Sequence, residues 1–239
     1  MLLLLLAAVV AAYGYHRGAL LLPFGPGPEA PEAAGIPAPA GAPTRPAVRA
    51  SGTGQFEFAS VDGPVAGTGG SVLDYRVAVE DGLGVPAAQF SAIVEAILSD
   101  PRSWTAGGTI RFHRVAGDEP SDFTIYLASP VLSEQMCRED GLHTEQFTNC
   151  RLSDDRVVIN SARWLTGVPD YGAPLAEYRA YAINHEVGHE LGHQHELCPG
   201  PGLPAPVMQQ QTLGLDGCVA YAWPYRNGVR YTGPPADPR

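Results

Sequence analysis

A chain of 239 residues, 45% of them hydrophobic, is long enough for one substantial domain and ordinary in its apolar content. Its formal net charge of −10 argues against a nucleic-acid partner, because phosphates demand a basic face. All 15 positively charged residues are arginine, a compositional bias that carries no mechanism.

The chain opens with MLLLLLAAVVAAYGY and reaches its first charge at Arg17. Fifteen helical residues span about 22 Å, short of the roughly 30 Å hydrocarbon core. Residues 1–22 therefore read as a signal peptide or a membrane anchor. Val10-Ala11-Ala12 offers a small-residue cleavage pattern, but no basic segment precedes the leucines, so cleavage and anchoring both stay open. Either route implies an extracellular or cell-surface protein that meets the membrane only through this segment. Residues 23–54, rich in Pro, Ala and Gly, read as a linker with too few large apolar side chains to fold. A domain is expected over 55–232, with 233–239 as a tail.

Within the domain, Leu73, Tyr75, Val77 and Val79 alternate with polar positions and predict a strand. Pro86 then opens a helix whose Phe90, Ile93, Val94, Ile97 and Leu98 share a face, and Pro101 ends it. Thr109–Val115, Phe123–Ala128 and Arg156–Asn160 read as further strands. After Pro174 a long helix, LAEYRAYAINHEVGHEL, runs up to Gly192. The pattern predicts an α+β fold with two main helices and a small irregular C-terminal part. The four cysteines, Cys137, Cys150, Cys198 and Cys218, form two locally spaced pairs. In an exported chain they read as two disulfides; of three possible connectivities, Cys137–Cys150 and Cys198–Cys218 join nearest neighbours.

The chemistry concentrates in HEVGHELGHQH, residues 185–195. His185 and His189 lie one helical turn apart and project from one face, so both imidazoles can reach a single ion. Glu186 adjoins the first histidine and is placed to take a proton from an attacking water, then return it to a leaving amine. A continuing helix would carry residue 195 out of reach. Gly192, free to adopt positive φ, breaks the helix and lets His195 return as third ligand. Three protein ligands with an open fourth position characterise catalytic zinc. His193 falls on the far side of that break, His113 and His143 read as strand or surface residues, and Glu190 is expected to face solvent or to contact the spacer side of the helix.

HExxHxxGxxH is the signature of the metzincin zinc metallopeptidases, which the chain resembles over residues 185–208. That clan's methionine turn corresponds to Ala205-Pro206-Val207-Met208-Gln209, with Met208 the only methionine beyond the motif. More widely, VVINSARW, INHEVGH and PAPVMQQQTLG resemble an exported actinobacterial family without an assigned function. The resemblance implies a zincin-type twisted mixed sheet, a zinc cofactor, a peptide or protein substrate and a monomer. Two residues beyond Met208 stands Gln210, where astacins carry a ligand tyrosine. Tyr221 and Tyr225 lie farther on as candidates to stabilise an oxyanion, and spacing selects neither. Two rivals to proteolysis are a non-catalytic zinc-stabilised binding module and an amidase acting on cell-wall peptides.

Overall fold

Ten residues of alternating character, Ser71–Glu80, form the long strand on which the domain is built. The structure is a computed structural model that describes residues 47–237. The expected leader and most of the expected linker lie outside the described residues. Among these, the chain forms β1 (Phe56–Phe58), β2 (Ser71–Glu80), α1 (Ala87–Leu98), β3 (Ile110–Arg114), β4 (Phe123–Ala128) and α2 (Pro130–Glu139). It continues with β5 (Cys150–Leu152), β6 (Arg156–Asn160), α3 (Ser161–Thr166), α4 (Leu175–Glu190), β7 (Tyr225–Arg226) and β8 (Val229–Arg230). The fold is thus mixed α+β.

Six strands make one mixed sheet in the order β1-β2-β4-β6-β5, and β3 also pairs with β2. β2 runs parallel to β3 and β4, and β4 parallel to β6. The short strands β1 and β5 pair antiparallel at the two ends of that order. Alternation sorts the side chains between two cores. Tyr75, Val77, Val79, Ile125, Leu127, Val157 and Ile159 face the main core, with Phe90 and Val94 of α1 and Ile183 and Val187 of α4. Val158 and Ala128 face the opposite side, where Met136 and Cys137 of α2 cover them. Both faces are covered, which suits the largely parallel centre of the sheet.

α2 has no counterpart among the expected elements. Ser129 caps it, accepting a hydrogen bond from the Leu132 N–H, and Pro130 occupies its first turn. Its buried apolar stripe is reduced to Met136 and Cys137, too narrow to read as periodicity. The disulfides join Cys137 to Cys150 and Cys198 to Cys218, the nearest-neighbour pairing. Such bridges fit an oxidising extracellular environment. Among the described residues, no helix is long and apolar enough to cross a membrane.

Two boundaries differ from expectation. The Thr53 N–H already bonds the Asp81 carbonyl, and the Gly54 N–H the Glu80 carboxylate, so the last linker residues dock on the sheet. At the other end, residues 233–236 are no free tail. Leu197 donates to the Pro234 carbonyl and Ala236 to the His195 carbonyl. Proline cannot donate to a ladder, but its carbonyl accepts, and this segment uses that capacity.

Candidate metal centre

α4 is buried almost all round from Tyr178 to Gly188, so its polar residues need partners inside the protein. Asn184 accepts from the Ser103 hydroxyl (2.8 Å) and donates to the Ala222 carbonyl (3.1 Å), fixing the helix one residue before His185. Tyr171, Tyr178 and Tyr181 cluster beside it. Their hydroxyls reach Gln211, Thr212 and the Gln209 carbonyl, docking the irregular segment onto the helix. Sequence reading missed this tyrosine row, whose partners lie far along the chain.

The helix ends in a Schellman motif. Gly192 donates to the His189 carbonyl and His193 to the Gly188 carbonyl, with Gly192 at φ +87°. The chain then reverses and brings His195 beside the two helical histidines. Candidate ligand atoms of His185, His189 and His195 all lie within 4.8 Å of one another, and the Nε2 atoms of His189 and His195 are 3.0 Å apart. His193 is carried away, its ring stacked on Trp104 at 4.4 Å.

Protonation follows from the outer contacts. His185 Nδ1 meets the Val207 carbonyl and His189 Nδ1 the His193 carbonyl, each at 2.8 Å. A carbonyl only accepts, so each Nδ1 carries the proton and each Nε2 keeps its lone pair for a cation. Burial, reinforced by the neighbouring histidines, holds the His185 pKa well below its ordinary value. Burial also lowers that of His189. Converging neutral imidazoles are the donor set that suits zinc and its first-row neighbours, so these three residues could hold a metal ion.

Glu186 shares this environment. Its side chain is buried yet lines the cavity in front of the histidines, and burial alone pushes its pKa up to about 8. The cavity encloses about 390 Å³. Its lining includes Thr144 and Asn149 from the loop before β5, Arg151 of β5 itself, and Gln210 and Leu213. His143 is among the lining residues, whereas His113 sits on β3 against Asp74. Neither Tyr221 nor Tyr225 lines the cavity; the Tyr221 hydroxyl is spent on the Tyr225 carbonyl.

Glu190 does not face solvent. It takes the Arg151 Nε–H at 2.8 Å, tying the end of α4 to the edge strand β5. Met208 is wholly buried, and its sulfur packs against Gly188, where a Cβ would stand 2.4 Å from Sδ. The methionine segment therefore passes directly against the helical turn that joins the two histidines, and its Val207 carbonyl orients the first of them.

No curated protein and no solved structure matches the chain significantly. The family described as "Protein of unknown function (DUF3152)" matches residues 42–226, a span that includes the histidines, Glu186 and the methionine segment, and the chain belongs to that family.

Proposed function

We propose that the protein is a zinc-dependent metallopeptidase of the metzincin kind, exported or held at the cell surface. The observation that carries the reading is Glu186: a carboxylate buried beside three convergent imidazoles, with its open side on a cavity. Burying an ionisable group is costly, and a structural metal site has no use for this one. Bound among His185, His189 and His195, zinc would supply Lewis-acid polarisation of a carbonyl and acidify water. A divalent cation so close would also draw the Glu186 pKa down from about 8, towards the range where a carboxylate works as base and then as acid near neutrality.

Glu186 then takes a proton from the attacking water and delivers it to the amine nitrogen as the peptide bond breaks. The Val207 and His193 carbonyls keep the imidazoles in the ligating tautomer throughout. Met208 and its neighbours act as the methionine turn beneath the histidines. The Gln210 amide and the accepting side of the Thr144 hydroxyl offer neutral hydrogen-bonding groups to the backbone of an extended substrate. The same neutral groups suit, as second reading, amide hydrolysis within cell-wall peptides.

Zinc-loaded protein incubated with a diverse peptide pool and, separately, with purified peptidoglycan tests both readings. Chelator-sensitive peptide products support the first, and release of wall peptides alone supports the second. Glu186→Gln should keep its zinc and lose at least about a hundredfold in turnover, the usual scale of general acid–base catalysis. A Glu186→Gln variant as fast as the parent would sink the mechanism.

A further inference from the structure

The residue after the third histidine is held on both sides. The Glu196 N–H donates to the Met208 carbonyl at 3.0 Å. Its side chain turns the other way: Oε1 accepts from Arg230 Nη2 and Oε2 from the Gly233 N–H, both at 3.2 Å. Around it, Leu197 donates to the Pro234 carbonyl (2.7 Å) and Ala236 to the His195 carbonyl (3.0 Å), so Glu196 and Pro235 form an antiparallel bridge. Arg230 is itself wedged in place. Its guanidinium lies over the Trp104 ring at 4.8 Å, and Trp104 stacks on His193. Only 19% of the Arg230 side chain and 13% of the Glu196 side chain are exposed.

We infer that residues 229–236 are a strap that positions His195 as a metal ligand, with Arg230 and Glu196 as its positioning residues. The inference rests on the three-histidine reading of the metal site. Its physical basis is a difference among the ligands. His185 and His189 are held by the hydrogen-bond ladder of α4, whereas His195 stands in irregular chain. Its carbonyl is anchored by Ala236, and the next residue by Met208 on one side and the strap on the other. Such outer contacts typically govern metal affinity by 10–100-fold. The strap lies beyond residue 226, where the family match ends.

Cobalt(II) is the probe, because its visible spectrum reports the ligand set independently of turnover. Full-length Arg230→Ala and Ala236→Pro should take up cobalt about 10–100-fold more weakly than the parent by chelator competition. Their spectra should shift as a nitrogen ligand is lost, while far-UV dichroism and both disulfides persist. Arg230→Lys, which keeps the cation, should recover part of the affinity. Ala236→Pro removes one N–H and leaves the ion pair intact, so it decides alone should Arg230→Ala fail to fold. Variants with parental affinity and spectrum overturn the strap but leave the three-histidine site standing. A parent that takes up no cobalt overturns both.

Discussion

Gly188 sits in the interior of α4, where glycine costs roughly 1 kcal/mol relative to alanine, so its presence calls for a reason. The reason is contact: a Cβ there would stand 2.4 Å from Met208 Sδ and 2.7 Å from Trp104 Cζ2. Gly192, four residues on, is the opposite case, with open space around its Cβ position but φ at +87°. Gly188→Ala should therefore destabilise by about 1–3 kcal/mol through overpacking between the two helical histidines. Gly192→Ala should cost about 1 kcal/mol through backbone strain alone. Denaturant unfolding of both metal-free variants checks the order, and a Gly192→Ala cost exceeding that of Gly188→Ala would contradict it. Gly192 could be read from the sequence because its role is local, set by the histidine that must return three residues later. Gly188 could not, because its partners lie 20 and 84 positions away.

The same division between local and distant causes runs through the elements. β2, α1, β4, β6 and α4 were legible because each repeats its own period, is a run of β-branched and aromatic residues, or carries a proline at its border. α2, β5 and the β7–β8 hairpin are stabilised by what they meet, and their short or mixed sequences announce little. The loop joining α2 to β5 shows how such a segment is held. Glu134 on α2 accepts from the Thr144 N–H at 3.0 Å, the Gln146 N–H at 3.1 Å and the Thr144 hydroxyl. Asn160 binds the Gln146 carbonyl, and the Cys137–Cys150 bridge closes the base. The Thr144 hydroxyl, the Gln146 N–H and Arg138 lower the Glu134 pKa from 4.5 to about 2. A depressed carboxylate pKa adds stability that is complete above the unfolded-state value and is lost as pH falls through the folded one. Glu134→Gln should thus be less stable than the parent at neutral pH, and the gap should close between about 4.5 and about 2. Thermal unfolding at a series of pH values measures it; a gap independent of pH would assign the loss to packing instead. Because Thr144 lines the cavity, the variant should, under the proposed peptidase activity, also raise KM more than it lowers kcat.

At the scale of the whole molecule, the three histidines belong to two structurally different parts. His185 and His189 come from α4, which packs on the sheet, and His195 from the irregular C-terminal part, which has its own bridge at Cys198–Cys218. An ion shared among them would act as a cross-link between these parts, much as that disulfide does within one of them. Closing a loop of 20 residues contributes about 3 kcal/mol in the chain-entropy view. A ligand bound only by the folded state contributes about 2.7 kcal/mol at a hundred times its dissociation constant. For a domain of this size each kcal/mol moves Tm by about 2–4 °C, so saturating zinc should raise Tm by roughly 5–10 °C over the chelated protein. His195→Ala should abolish most of that increment and lower the chelated Tm less than the zinc-loaded one, because loss of the metal cross-link outweighs loss of its ring contacts with His185 and His189. Replacing Cys198 and Cys218 together by serine should do the reverse. It should lower the chelated Tm by roughly 5–10 °C and leave a zinc-dependent rise, because the strap and Met208 still hold the ligand turn. Scans of the parent and both variants with and without chelator separate the two cross-links. A zinc increment that survives in His195→Ala would mean that the ion, if bound, does not join α4 to the C-terminal part.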